Sequence, residues 1–421
     1  MHTKKIPLFL LRYVIFLSFT LSLDAQTLAI FGSSVANGTG DMEGTGGYAG
    51  RIAKLMEAKG WKVVNVSKGG DNTTKITPRI HKDLFPTKPD YVILGLSLGN
   101  EGIRSNDPIE QARVFEKYRA GVLRLIDSIQ VAGAKPIIMN CYAHGWFSLD
   151  HYRHTQEMNK WINQLPYPSV NVLGALDNGA GNWPEGYEND PWHPNAAGHA
   201  EMYLAFVPSL LEAMAAGKVT PKRALGDDYT TLKNKAKGLA PVVLDIDQTM
   251  HSFSTSFEFK DASDGVLLSI IGDQSNVHLS VKEGTLSYQS SNAARPATVA
   301  YDAKVWNCLT IAHRYATKET LLFLNGQQIA RLREQISPQQ IILGGDEQLD
   351  RANSVGTVDV RHWTVHRSAL NAEEAKALYY HQFIQSSLEV YIPFGQSLQN
   401  EAQSLTKVKI NQASLSLSVE K

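Results

Sequence analysis

Cysteine is nearly absent: Cys141 and Cys308 are the only two in 421 residues. A pair cannot build a disulfide framework, and no Cys/His grouping has zinc-ligand spacing. The two fall in different parts of the chain, so buried free thiols acting as small hydrophobes are expected. Charge of one sign is not in excess either, with Lys+Arg and Asp+Glu at 41 each. No dominant basic block follows the first residues, which argues against a nucleic-acid or polyanionic partner. Repeats and low-complexity tracts are also missing. Hydrophobic residues at 43% and charged residues at 19% instead suit domains with packed cores.

Long apolar runs are confined to the start. Lys4, Lys5 and Arg12 precede an apolar stretch from Tyr13 to Leu23. That stretch is shorter than the roughly 20 residues of a membrane span. Residues 1–25 therefore read as a signal peptide cut between Ala25 and Gln26, and no cysteine follows to carry a lipid. The expectation is a secreted or periplasmic protein with no stable membrane anchor after cleavage.

From residue 26 to 216, apolar strand runs alternate with helical spacing. The strands are Leu28–Phe31, Lys62–Val66, Tyr91–Gly95, Lys135–Met139 and Val170–Leu173. Between them lie helical stretches at Gly47–Lys59 and Pro108–Ala132, the latter with Ala112, Phe115, Tyr118, Val122 and Ile126 on one face. Pro194 to Met214 reads as a closing helix. Strands separated in this way imply βαβ units and a parallel sheet covered on both faces, a three-layer α/β fold. Residues 217–241, rich in Lys, Thr, Pro and Gly, read as a linker. From 242 to 421 the period changes to two, with short strands such as Phe253–Phe259 and Val277–Val281. Leu321–Leu324 runs into Asn325-Gly326, a hairpin turn signal. This half is expected to be an all-β sandwich.

The chemistry gathers at strand ends. Ser34 follows the first strand and Gly32, where open α/β sheets place their sites. Asp190-Pro191-Trp192-His193 supplies an acid and a base three residues apart. A serine hydroxyl needs a base to take its proton, and the histidine needs an acid to fix its tautomer. Gly69-Gly70 follows the second strand and Gly99-Asn100 the third, so both loops are expected to converge on Ser34. The backbone N–H groups of Ser34 and Gly70 and the amide of Asn100 can then form an oxyanion hole.

These blocks, in this order, resemble the SGNH (GDSL-type) hydrolases over residues 27–215. Ser34 matches the nucleophile block, Gly70 and Asn100 the oxyanion blocks, and Asp190 with His193 the final D-x-x-H. The resemblance implies a flavodoxin-like sheet, a Ser-His-Asp triad and no cofactor or metal. One departure is Ser33, which stands where the family has an acid and is also a rival nucleophile. His144, Trp146 and Trp192 are candidates for substrate contact, with Trp183 as a further platform ring. His151 and His154 read as solvated surface residues, and His199 as structural.

The second half resembles a laminin-G-like, concanavalin-type jelly roll on Trp306–Ala312, Ile342–Gly345, Val355–Val360 and the closing helix Ala369–Tyr379. That resemblance implies either glycan binding or a structural spacer. Asp245, Asp247, Asp346 and Asp350 form no tight calcium loop and read as solvated. Together these features imply an exported serine esterase acting on an acylated glycan, most simply an O-acetylated one. A lipase or thioesterase, or a catalytically impaired glycan-binding protein, are the alternatives.

Overall fold

Apolar runs of four to six residues with no polar side build the centre of the first half, as strands buried on both faces require. The computed structural model describes residues 25–233, 242–346 and 355–418. The expected signal peptide, the end of the expected linker and Asp350 lie outside the described residues.

The chain begins with β1 (Thr27–Gly32), α1 (Gly47–Glu57), β2 (Lys62–Asn65), α2 (Thr73–Ile76), β3 (Tyr91–Gly95) and α3 (Leu98–Glu101). It continues with α4 (Pro108–Val131), β4 (Lys135–Met139), α5 (Leu149–Asn163), β5 (Ser169–Val170) and α6 (Val172–Ala175). A small hairpin, β6 (Glu188–Asp190) with β7 (His193–Pro194), precedes α7 (Ala196–Leu204) and α8 (Leu210–Ala215). The five main strands are parallel, in the order β2-β1-β3-β4-β5. This is the flavodoxin-like, doubly wound order.

Alternate residues of β1 feed two cores. Leu28 and Ile30 pack with Ile52 and Met56 of α1 and Met202 of α7, while Ala29 and Phe31 pack with Tyr118 and Leu125 of α4. Each fully buried apolar side chain contributes roughly 1.5–3 kcal/mol relative to exposure. The sheet is thereby fixed between two helical layers.

Several local expectations need correction. The buried face of α4 runs through Val114, Tyr118, Val122, Leu125 and Ile129, leaving Ala112 exposed. Its start is set by Asp107, whose carboxylate accepts from the Ile109 N–H at 3.0 Å. The fifth strand ends at Val170, because Asn171 caps α6 by accepting from the Gly174 N–H at 2.9 Å. The closing helix is two helices, α7 and α8, separated around Pro208, which disfavours helical backbone at Val207. Helix α5 has no counterpart among the expected elements.

Among the described residues, the regular structure of the second half is strand apart from one α-helix and a short 3-10 turn at Gln412–Ser414. It comprises β8 (Tyr229–Lys233), β9 (Val242–Asp245), β10 (Phe253–Lys260), β11 (Gly265–Gly272), β12 (Asn276–Lys282), β13 (Thr285–Ser290) and β14 (Ala297–Ala300). There follow β15 (Asn307–Arg314), β16 (Glu319–Leu324), β17 (Gln327–Arg333), β18 (Pro338–Leu343) and β19 (Thr357–His366). The chain closes with α9 (Ala372–Tyr379), β20 (Leu388–Ile392), β21 (Lys409–Ile410) and β22 (Leu415–Ser418). Two antiparallel sheets, β17-β16-β15-β10-β19-β8-β22 with β20 on β19, and β14-β13-β12-β11-β18-β9-β21, enclose one core around Phe257, Leu279, Ile341 and Trp363. This is a sandwich-like arrangement. The expected linker is therefore not wholly a linker: Tyr229–Lys233 pairs with both β19 and β22, burying Thr230 and Leu232.

Polar bonds tie the two halves together. Lys218 donates to the carbonyls of Asn400, Ala402 and Ser404 at 2.7–2.9 Å. The Asn171 N–H donates to Ser387 at 2.8 Å, and Ser386 bonds both Ser169 and Asn163. Arg367, almost fully buried, donates to the Leu204 carbonyl at 3.0 Å and pairs with Glu389 at 2.6 Å. Cys141 and Cys308 are both free and buried. Burial pushes each thiol up to about 12.

Candidate active site

Ser34 sits half-buried at the carboxyl end of β1. Its Oγ lies 3.0 Å from His193 Nε2. On the far side of the ring, His193 Nδ1 lies 2.9 and 3.0 Å from the two oxygens of Asp190. The tight β6–β7 hairpin pairs Asp190 directly with His193, which is why a three-residue spacing brings acid and base together. Asp190 also accepts from the backbone N–H groups of Trp192 at 2.7 Å and His193 at 3.0 Å. Burial alone would raise its carboxyl. The bonds from His193 and Trp192 outweigh that and hold it below the usual carboxylate range. This arrangement can accept a proton from Ser34 onto Nε2 while a carboxylate fixes the ring.

The loop after β1 holds His193 from behind. Gly40 has φ +97°, and a Cβ there would lie 2.1 Å from the Pro194 carbonyl oxygen and 3.1 Å from His193 Cβ. His199 secures the same loop: its Nε2 lies 2.9 Å from the Thr39 carbonyl, while Nδ1 accepts from the Tyr48 N–H at 3.3 Å. Burial lowers the His199 pKa, so the neutral ring with a proton on Nε2 fits both bonds.

The Gly69-Gly70 loop lies beside Ser34 and is bonded to the Gly99-Asn100 loop. A Cβ on Gly69 would stand 3.8 Å from that of Ser34, and Gly70 is exposed with φ +78°. Asn100 donates its side-chain amide to the Asp71 carbonyl at 3.0 Å, and Asn72 donates to the Asn100 carbonyl at 3.3 Å. Beneath them Glu101 accepts from Thr73, N–H at 2.9 Å and hydroxyl at 2.8 Å, and pairs with Lys117 at 2.9 Å. Asp71 is itself ion-paired with Arg79. These bonds lock the Gly70 loop to the Asn100 loop. Thr73, Glu101, Lys117 and Arg79 were not singled out from the sequence, since each acts through a partner distant along the chain.

Ser33 points away from the opening. It is fully buried, with its Oγ 3.5 Å from the Tyr142 hydroxyl, and so is inaccessible to a substrate. A neutral serine–tyrosine contact thus occupies the place of the expected acid.

Trp146 and Trp192 lie side by side, half-buried, with ring centroids 4.9 Å apart. Arg104, which is exposed, stacks 3.8 Å from the Trp192 ring and was not foreseen. His144 does not line an open pocket: it is 1% exposed, packed against Trp146, Phe147, Trp183 and Trp192. Its ring fits because position 99 is glycine, where a Cβ would fall 2.3 Å from Nε2. Burial lowers its pKa to about 3, so it supports the two indoles as a neutral ring. Trp183 is likewise buried, stacked on Tyr142. His151 is not a solvated residue; it is buried at the start of α5, accepting from the Ser148 N–H at 3.0 Å in a capping box. His154 is half-buried against Gln111 at 3.2 Å.

Among the described residues, no three His, Cys, Asp or Glu side chains gather as a metal site. Asp245 pairs with Lys409 at 2.5 Å and accepts from Gln340 at 2.7 Å.

Among solved structures, a catalytic mutant of an acetylxylan esterase from Geobacillus stearothermophilus is similar at 19% identity. The match covers 42% of this chain and 90% of that one, with a TM-score of 0.35. TesA matches at 21% identity over 42% and 94%, TM-score 0.35. A heptameric SAP-like pentraxin from Limulus polyphemus matches at 11% identity over 46% and 95%, TM-score 0.33. No curated protein matches the chain. The sequence profile of the GDSL-like Lipase/Acylhydrolase family matches residues 30–201, the span that contains Ser34, Gly70, Asn100, Asp190 and His193. Residues 30–201 thus form a domain that matches the GDSL-like lipase/acylhydrolase family, on a parallel five-stranded sheet.

Proposed function

We propose that this protein is an exported serine esterase that removes acetyl groups from a carbohydrate. The observation that carries the reading is the contact of Ser34 Oγ with His193 Nε2 at 3.0 Å, backed by Asp190 at 2.9 Å. Ser34 attacks the ester carbon while its proton passes to His193. The oxyanion is received by the N–H groups of Ser34 and Gly70 and by the Asn100 amide. His193 then gives its proton to the departing sugar oxygen, leaving an acetyl group on Ser34. Water, deprotonated by the same histidine, attacks that ester and regenerates the serine.

The carbohydrate part is supported by the half-buried Trp146–Trp192 pair beside His193, with Arg104 stacked over the Trp192 ring. Aromatic faces receive the C–H side of a sugar ring, and a guanidinium beside them bonds its hydroxyls. The apolar stretch of residues 13–23 supports export. The second domain is proposed to hold the glycan chain.

The decisive test is burst release of p-nitrophenol from p-nitrophenyl acetate. Ser34→Ala should abolish the burst and Ser33→Ala should retain it. A wild type that turns over no short acyl ester would sink the enzyme reading. Acetate release from a panel of acetylated polysaccharides, set against hydrolysis of medium-chain esters, then separates a carbohydrate esterase from a lipase or thioesterase.

A further inference from the structure

In the second domain, the C-terminal end of α9 overhangs the outer face of the β15-β10-β19 sheet and leaves a cleft of about 340 Å³. The cleft shares no residue with the Ser34 site. Its rim carries Tyr379 and Tyr380, 36% and 62% exposed, with ring centroids 5.2 Å apart. Its opposite wall is Trp306, held by Arg361 stacked at 4.2 Å and by Lys260 at 5.0 Å. The indole N–H of Trp306 is buried and has no hydrogen-bond partner.

The floor is polar and already charge-balanced. Glu258, nearly fully buried, accepts from Arg361 at 2.6 Å and Arg223 at 2.7 Å, with His381 at 3.4 Å. Arg361 reaches Asp227 as well, at 3.1 Å. A cavity of this size is at the small end of those that hold organic ligands. An acyl chain here would strip water from Glu258 and Arg361 and return no hydrogen bond. An anion would meet the Glu258 carboxylate. A neutral sugar suits both surfaces: its C–H face lies on the tyrosine rings, and its hydroxyls both donate and accept along the floor.

We infer that the cleft between Trp306 and the Tyr379–Tyr380 pair is a binding site for a neutral segment of the polysaccharide that the enzyme deacetylates. This rests on the carbohydrate reading above and adds to it where the chain is held.

The test uses full-length protein carrying Ser34→Ala, run through native gels containing soluble deacetylated polysaccharides of the kinds whose acetylated forms the wild type hydrolyses. Retardation is expected for at least one polysaccharide. Replacing both Tyr379 and Tyr380 with alanine should weaken it about tenfold, two ring contacts' worth, while Tyr380→Phe should bind like the parent. An unchanged melting temperature in the double variant would show that the loss is one of binding. The assignment falls if the double alanine variant is retarded as strongly as the parent, or if no polysaccharide retards the parent although the wild type releases acetate from its acetylated form. Hydrolysis of small acetate esters with no release from any glycan would overturn the carbohydrate reading and the cleft with it.

Discussion

Asn100 is proposed to serve two bonds with one side chain. Its amide nitrogen already donates to the Asp71 carbonyl at 3.0 Å, which leaves its second N–H for an oxyanion. Asn100→Ala should therefore lower kcat by about 10²–10³, with KM for a short ester little changed. A mutant that mainly raised KM would place Asn100 in ground-state binding instead. Ser33 carries a different lesson. Its hydroxyl meets Tyr142 in full burial, so the floor beneath the nucleophile has no carboxyl of its own at that position. His144 shows the same substitution of packing for contact, since its neutral ring sets two indoles instead of touching a ligand.

Among the elements, α9 joins the halves by an unusual contact. Glu374, buried at its N-terminal end, accepts from the Asn371 N–H at 2.9 Å and from Asn171 of the first domain at 3.2 Å. Burial raises its pKa from 4.5 to about 7. In the folded protein it therefore keeps its proton at pH values where the unfolded chain has lost it. Its contribution to stability is greatest below about pH 4.5 and declines as pH rises to about 7, by on the order of 3 kcal/mol. Melting followed between pH 5 and 8 should show this decline in the wild type and a flatter profile in Glu374→Gln. Parallel slopes would remove Glu374 as the cause.

Strands β1, β3 and β4 of the first sheet were legible because burial on both faces writes them as apolar runs. Ser34, Gly70 and Asn100 were legible because each lies in the segment that follows a strand of that sheet, and Asp190 with His193 by their spacing alone. Helix α5 escaped because much of its buried side is polar: His151, Thr155, Asn159 and Asn163 are all buried. Asn159 bonds both the N–H and the carbonyl of Cys141 at 2.8 and 2.9 Å, a long-range pairing that no period reveals. Strand β8 hid in a Lys- and Gly-rich stretch because only two of its side chains, Thr230 and Leu232, turn inward. The Thr73–Glu101–Lys117 lock was invisible for the same reason as Asn159, as its members meet only in the fold.

For the whole molecule, the bonds between the halves include the one from Arg367 to the Leu204 carbonyl, made by a guanidinium that is itself buried and paired with Glu389 within the second half. Removing one partner of such a pair strands the other, a loss of about 3–5 kcal/mol. Calorimetry should show a single unfolding transition in the wild type, and Arg367→Ala should shift it to lower temperature. Two separated transitions in the wild type would mean that the halves unfold independently. Helix α9 gives this coupling a direction. Glu374 at one end grips the sheet side of the hydrolase, and six residues on, a rise of about 9 Å, Tyr380 stands at the cleft. A stiff rod of that length works as a strut and not a leash. Attachment at the tyrosines would fix the reach of Ser34 along a polymer, so esters at one set distance from the anchoring point would be cleared first.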